Sequence, residues 1–120
     1  MEVRIKSEKL MPETRDYLGG RLAAIEKLLG KAADLARCEV EITRAAGRKH
    51  SSDHMWCAEM HIMVPGYKTV YAQNHAQTVN AAIDDVKEEV ERQIRKEKKA
   101  SRRDTKKKGE AIKRMSRGDA

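Results

Sequence analysis

The sequence predicts an α+β fold, a two-layer sandwich with elements in the order β-α-β-β-β-α. Three observations predict it. Four short stretches alternate apolar and polar residues with a period of two. Two longer stretches carry apolar residues at helical spacing. Each helical stretch has one apolar stripe, which needs a sheet face to cover.

In the first strand, Val3 and Ile5 alternate with Glu2, Arg4 and Lys6. Pro12 suits the first turn of a helix, where its missing N–H costs nothing. Leu18, Leu22, Ile25 and Leu29 then form one helix face that ends near Gly30. Gly19-Gly20 interrupts this helix at a cost of roughly 1 kcal/mol per glycine relative to alanine. The pair is expected to make a small-residue notch that lets the helix lie close to the sheet.

Residues 36–44 alternate cleanly, with Ala36, Cys38, Val40 and Ile42 on one face and Arg37, Glu39, Glu41 and Thr43 on the other. Residues 45–54 read as a polar loop. A further strand runs from about Met55 to Val64. Trp56, Ala58, Met60, Ile62 and Val64 share its inner face, while Cys57, Glu59, His61 and Met63 face outward. Pro65-Gly66 is a turn signal, because proline presets φ and glycine permits a positive φ. Lys68, Val70 and Ala72 alternate with Tyr67, Thr69 and Tyr71, so this turn joins two antiparallel strands. Thr78 is the expected N-cap of the last helix, whose buried stripe is Val79, Ile83, Val86, Val90 and Ile94. If the first two strands are parallel neighbours, their helical crossover is right-handed.

The 120 residues suffice for one domain or one domain plus a tail. No apolar run reaches the ~20 residues of a membrane span. Residues 1–9 hold no apolar core of signal-peptide length, and Cys38 and Cys57 do not make a disulfide framework, so a reduced, cytoplasmic protein is expected. The formal net charge is +7. Residues 1–99 hold 18 basic and 16 acidic side chains, whereas residues 100–120 hold 8 basic and 3 acidic ones. A nearly neutral domain, 1–99, therefore carries a basic tail, 100–120. The tail's only large apolar residues are Ile112 and Met115, so a disordered segment or frayed helix is expected there. The basic excess favours an acidic partner, nucleic acid first.

On a wheel of about 100° per residue, Arg92, Arg95, Lys96 and Lys99 fall opposite the apolar stripe of the last helix. Asp84, Asp85, Glu88, Glu89 and Glu91 crowd its front half. Acid first and base last suits the helix dipole without any ligand. The dipole does not explain why positive charge continues into Lys98, Arg102 and Arg103. An arginine fork matches phosphate oxygens, and lysine adds a mobile point charge. Phenylalanine is absent and no aromatic-rich strand motif is present, so contact with phosphate and ribose is expected over base stacking.

The element order, the Val64-Pro65-Gly66 turn, Asn80-Ala81-Ala82-Ile83-Asp84 and Val90-Glu91-Arg92-Gln93-Ile94-Arg95-Lys96-Glu97-Lys98 together resemble the ribosome hibernation promoting factors over residues 1–99. These are also called ribosome-associated inhibitors and sigma-54 modulation proteins. The resemblance implies a four-stranded sheet with both helices on one face. It implies binding to 16S rRNA in the messenger and transfer RNA channel of the small ribosomal subunit, and so translation inhibition and storage of idle ribosomes under stress. Carried over by position, Arg92, Arg95 and Lys96 match basic positions of the second-helix motif, and Arg21 and Lys27 match basic positions of the first helix. With Lys99, Arg102 and Arg103 these make up the expected nucleic-acid-binding set. The sequence departs from the family where Thr78-Val79-Asn80 replaces Asp-Met-Tyr, and where Glu89 and Ala24 replace common lysines. The tail is expected to restore the missing cations. The second domain of long family members, which pairs ribosomes, is not expected here. The protein is expected to be monomeric off the ribosome, with no cofactor, no small-molecule substrate and no membrane partner.

His50, His54, Cys57 and Cys38 suggest a metal site only weakly, because zinc sites show tighter paired spacing. His61 and His75 read as solvent-facing or capping residues. No nucleophile motif, phosphate loop or acid pair is present, so no enzyme is expected. Two other readings compete. A shape-selective double-stranded RNA-binding module would place lysines at the start of its last helix, where this chain is acidic. A protein-interaction or transcription-modulating domain would use its sheet face.

Overall fold

The structure, a computed structural model, describes residues 1–7, 10–44 and 55–116, with side chains as far as Ser101. The strands are β1 (Glu2–Ser7), β2 (Arg37–Arg44), β3 (Trp56–Met63) and β4 (Val70–Ala76); the helices are α1 (Pro12–Leu29) and α2 (Val79–Ser116). A 3-10 segment, Gly30–Leu35, links α1 to β2. The four strands lie side by side in sequence order. β1 and β2 are parallel, and β3 and β4 follow antiparallel. This is the α+β two-layer fold that the periodicities predict.

Register fixes the two faces of the sheet. Cys38, Val40 and Ile42 of β2 stand beside Ile62, Met60 and Ala58 of β3. All six are buried with Leu18, Leu22, Ile25 and Leu29 of α1 and with Ile83, Val86, Val90 and Ile94 of α2. α2 packs on β3, β4 and α1. Both helices therefore cover one face. The other face presents Arg4, Lys6, Glu39, Glu41, Glu59, His61, Tyr71 and Gln73, row against row. Val3 and Ile5 are 37% and 40% exposed because β1 is an edge strand.

Local chemistry sets the ends of the elements. Pro12 opens α1, and Gly30, at φ 61, ends it. Gly66 has φ 87, and the Tyr67 N–H donates to the Val64 carbonyl at 3.0 Å, closing the β3–β4 turn. The Thr78 hydroxyl accepts from the Ala81 N–H at 3.1 Å and caps α2 as expected.

One expectation needs correcting and one needs refining. Gly19 and Gly20 are exposed, and a Cβ at either would meet nothing within 4 Å, so they form no notch against the sheet. Cys57 stands on the outward face as expected, yet it is buried there, with the Gln73 amide donating to its sulfur at 3.5 Å. The α2 backbone continues as one helix of 38 residues to Ser116. Residues 100–116 contain no proline and many good helix formers, which propagate a turn already nucleated by the packed half of α2.

Candidate nucleic-acid interface

The candidate interface is built from the adjoining sides of α1 and α2. Tyr17 and Arg21 are one turn apart on α1, flanking its apolar stripe on the side that meets α2. The Tyr17 hydroxyl donates to Asp84 Oδ2 at 2.6 Å. Arg21 Nε donates to Asp84 Oδ1 at 2.9 Å, and Arg21 Nη2 donates to the Tyr17 hydroxyl at 2.8 Å. The guanidinium also lies over the Tyr17 ring, 4.3 Å from its centroid. The Tyr17 and Arg21 hydrogen bonds hold the Asp84 carboxyl below the usual carboxylate range, and the Asp84 contact raises Arg21.

Lower in the same seam, Lys98 Nζ donates to the Leu28 carbonyl at 2.7 Å. It satisfies one of the orphan carbonyls at the end of α1 and meets the negative end of that helix dipole. Since Arg21 meets Asp84 and Leu28 meets Lys98, the two helices run in the same direction. The last turn of α1, with Lys27, consequently lies beside the basic half of α2.

On the exposed side of α2, Arg92 makes a two-pronged contact with Glu89. Nε donates to Oε2 at 3.0 Å, and Nη2 donates to Oε1. Gln93 Nε2 also donates to Glu89, at 3.0 Å. These bonds, Arg92 first and Gln93 second, hold the Glu89 carboxyl down at about 2. The Gln93 side chain in turn bonds the edge of β4: its oxygen accepts from the Tyr71 N–H at 2.9 Å, and its nitrogen donates to the Tyr71 carbonyl at 2.7 Å. Arg95 lies 3.8 Å from Glu91, which also pairs with Lys87 at 2.8 Å.

The expected cations thus divide. Arg21, Arg92 and Arg95 each face a carboxylate. Lys96 and Lys99 on α2 and Lys27 on α1 are exposed, with no ion-pair partner among the described residues. The side chains of Arg102 and Arg103 lie outside the described residues. Asp84, Glu89 and Glu91 read from sequence as surface charge suited to the dipole; they are in fact the counter-ions of the arginines. Sequence reasoning also missed Tyr17, Gln93 and Lys98. The i,i+4 spacing of Tyr17 and Arg21 beside the stripe was the available signal for the first.

No group of three metal-ligating side chains occurs among the described residues. His50 and His54 lie outside them. Cys38 and Cys57 point to opposite faces of the sheet, and burial pushes the Cys38 thiol up to about 12, away from the thiolate form that binds metals. Among the described residues no helix is long and apolar enough to cross a membrane.

Residues 1–102 match the family described as Sigma 54 modulation protein / S30EA ribosomal protein. The chain belongs to this family. Its fold is shared by solved structures. The N-terminal domain of Protein Y from Thermus thermophilus is 20% identical, with a TM-score of 0.62 over 80% of this chain and 98% of that one. A ribosomal subunit interface protein from Coxiella burnetii is 15% identical, with a TM-score of 0.63 over 82% and 98%. No curated protein matches the chain significantly. The Sigma 54 modulation/S30EA match takes in α1, α2 as far as residue 102, and every expected site residue except Arg103. The family is one of ribosome-associated modulation factors.

Proposed function

We propose that this chain is a hibernation factor that binds the small ribosomal subunit through 16S rRNA, occupies the messenger and transfer RNA channel, and stops translation under stress. The observation that carries the reading is the membership of residues 1–102 in a ribosomal family, joined to a helix pair that ends in exposed cations. Lys96, Lys99 and Lys27 offer point charges, and Arg92 and Arg95 offer planar forks for phosphate. Arg21 braces the helix pair from inside the seam. Arg102 and Arg103 extend the basic run along the sequence. Inhibition on this reading is steric and uses no catalytic group.

The mechanism is read by shape. Phosphate contacts position the protein, and the packing of α1 against α2 decides which folded RNA can meet several cations at once. Cosedimentation with small ribosomal subunits, and with a generic RNA duplex, at increasing salt tests this. Selective binding to the subunit is expected, with the logarithm of affinity falling by roughly one unit per phosphate contact for each tenfold rise in salt. The triple variant Arg92→Glu, Arg95→Glu, Lys96→Glu is expected to lose both subunit binding and inhibition of in vitro translation while melting cooperatively. Full inhibition by that variant would reject the site. Equal binding to any duplex would favour a general double-stranded RNA-binding module, and no RNA binding a protein-interaction domain. Deleting residues 100–120 is expected to weaken subunit binding.

A further inference from the structure

We infer that Glu89 is a built-in counter-anion that occupies the guanidinium fork of Arg92 until an RNA phosphate replaces it, and that it thereby sets how strictly the interface selects its RNA. The inference rests on the reading of α2 as an RNA-binding face.

The geometry is that of a competitor. Arg92 offers Nε and Nη2 to the two oxygens of Glu89. Those are the donors that a phosphate would take in the same two-pronged way. The Nε/Nη2 edge of the guanidinium cannot serve both anions at once. Glu89 is the anchored member of the pair, because Gln93 bonds it from the other side at 3.0 Å and is itself tied at both ends of its amide to Tyr71. Arg92 is the movable member, with a side chain 67% exposed. With its carboxyl held at about 2, Glu89 stays charged throughout the physiological range, so only another anion or added salt relieves the masking.

The consequence is selectivity. After the exchange, Glu89 remains close to the incoming phosphate and repels it. A passing duplex that reaches one or two cations gains little against that repulsion. A surface shaped to engage Lys96, Lys99 and Lys27 together with Arg92 overcomes it. A charge placed against the wrong partner is a general means of discrimination. Glu91 stands in the same relation to Arg95, more loosely, at 3.8 Å.

The test is a double-mutant cycle. Glu89→Gln removes the charge but keeps an amide oxygen that Gln93 can bond. Dissociation constants are measured for purified small ribosomal subunits and for a generic RNA duplex, with the wild type, Glu89→Gln, Arg92→Gln and the double variant, all checked by thermal melting. Glu89→Gln is expected to bind both RNAs tighter, by about threefold or more at low salt, as loss of one nearby like charge implies. The gain is expected to be larger on the duplex, so that selectivity falls. In the Arg92→Gln background the gain is expected to shrink towards onefold. Glu89→Lys should exceed Glu89→Gln. Unchanged or weaker binding by Glu89→Gln, or a gain that persists in full without Arg92, overturns the counter-anion role even where Arg92→Gln weakens binding. Arg92→Gln that binds subunits at full strength overturns both this inference and the interface beneath it.

Discussion

Arg21 Nε of α1 and Asp84 Oδ1 of α2 stand 2.9 Å apart, 63 residues apart in sequence, and the Tyr17 hydroxyl bonds both side chains. The trio fixes how α1 lies against α2. Asp84→Asn is expected to lower Tm by about 4 °C, the scale that one hydrogen-bonded charge sets for a domain of this size. Tyr17→Phe is expected to cost less, since the Arg21 bond to Asp84 survives. The pH dependence has a definite sign. The Asp84 carboxyl is depressed in the folded protein, so its contribution is present above its ordinary value of 3.8 and fades as pH falls through the folded value. Glu89 adds to the same trend between its ordinary value of 4.5 and about 2. Asp84→Asn should therefore flatten the acid limb of a Tm-against-pH curve; an unaltered acid limb would exclude the trio as its source.

A second prediction follows from the open surroundings of Gly19 and Gly20. Both are exposed in the interior of α1, at ordinary negative φ, and a methyl group added at either would have no neighbour within 4 Å. Neither close approach nor a left-handed conformation requires glycine there. Gly20→Ala and Gly19→Ala are each expected to stabilise by about 0.5–1 kcal/mol through lost unfolded-state entropy. Chemical denaturation should show a higher midpoint at an unchanged slope. Destabilisation would mean that the pair is needed for packing.

The Gln93 side chain supplies the third. Its amide pairs with both backbone groups of Tyr71 on β4, an edge strand, much as a neighbouring strand would. Gln93→Ala is expected to expose that edge. Hydrogen exchange at the Tyr71 amide should speed up by about tenfold or more while the β3 amides stay protected. Uniform change across the sheet would instead indicate global destabilisation.

These sites show what was legible in the sequence. Period-two alternation placed β2 and β3 to within a residue or two, because each has one face in the core and one in water. The stripes of α1 and α2 were equally plain. Long-range pairing was not legible. Nothing local in Asp84 says that it meets Arg21, or that Lys98 meets the Leu28 carbonyl, because such bonds depend on how two helices lie on a sheet. Charges were countable, but their neutralisation was not. The same arginines that read as a cationic patch face Asp84, Glu89 and Glu91.

Lys98 and Lys99 are neighbours in sequence, yet the structure gives them different work, and this supports a last prediction. Lys98 is half-buried and spends its ammonium on the Leu28 carbonyl at 2.7 Å. Lys99 is exposed and has no ion-pair partner among the described residues. Lys98→Met keeps most of the aliphatic length but leaves that carbonyl without its donor. It is expected to cost about 1 kcal/mol of stability, the usual scale for one hydrogen bond to a charged group that is only partly buried. RNA affinity at high salt should change little. Lys99→Met is expected to melt like the wild type and to lose about one unit of salt slope in RNA binding. Measuring melting and salt slope on both variants separates the roles. If Lys99→Met lost stability and Lys98→Met lost salt slope, the assignment of structural and RNA-facing lysines on α2 would be reversed, and with it the side of the helix that meets RNA.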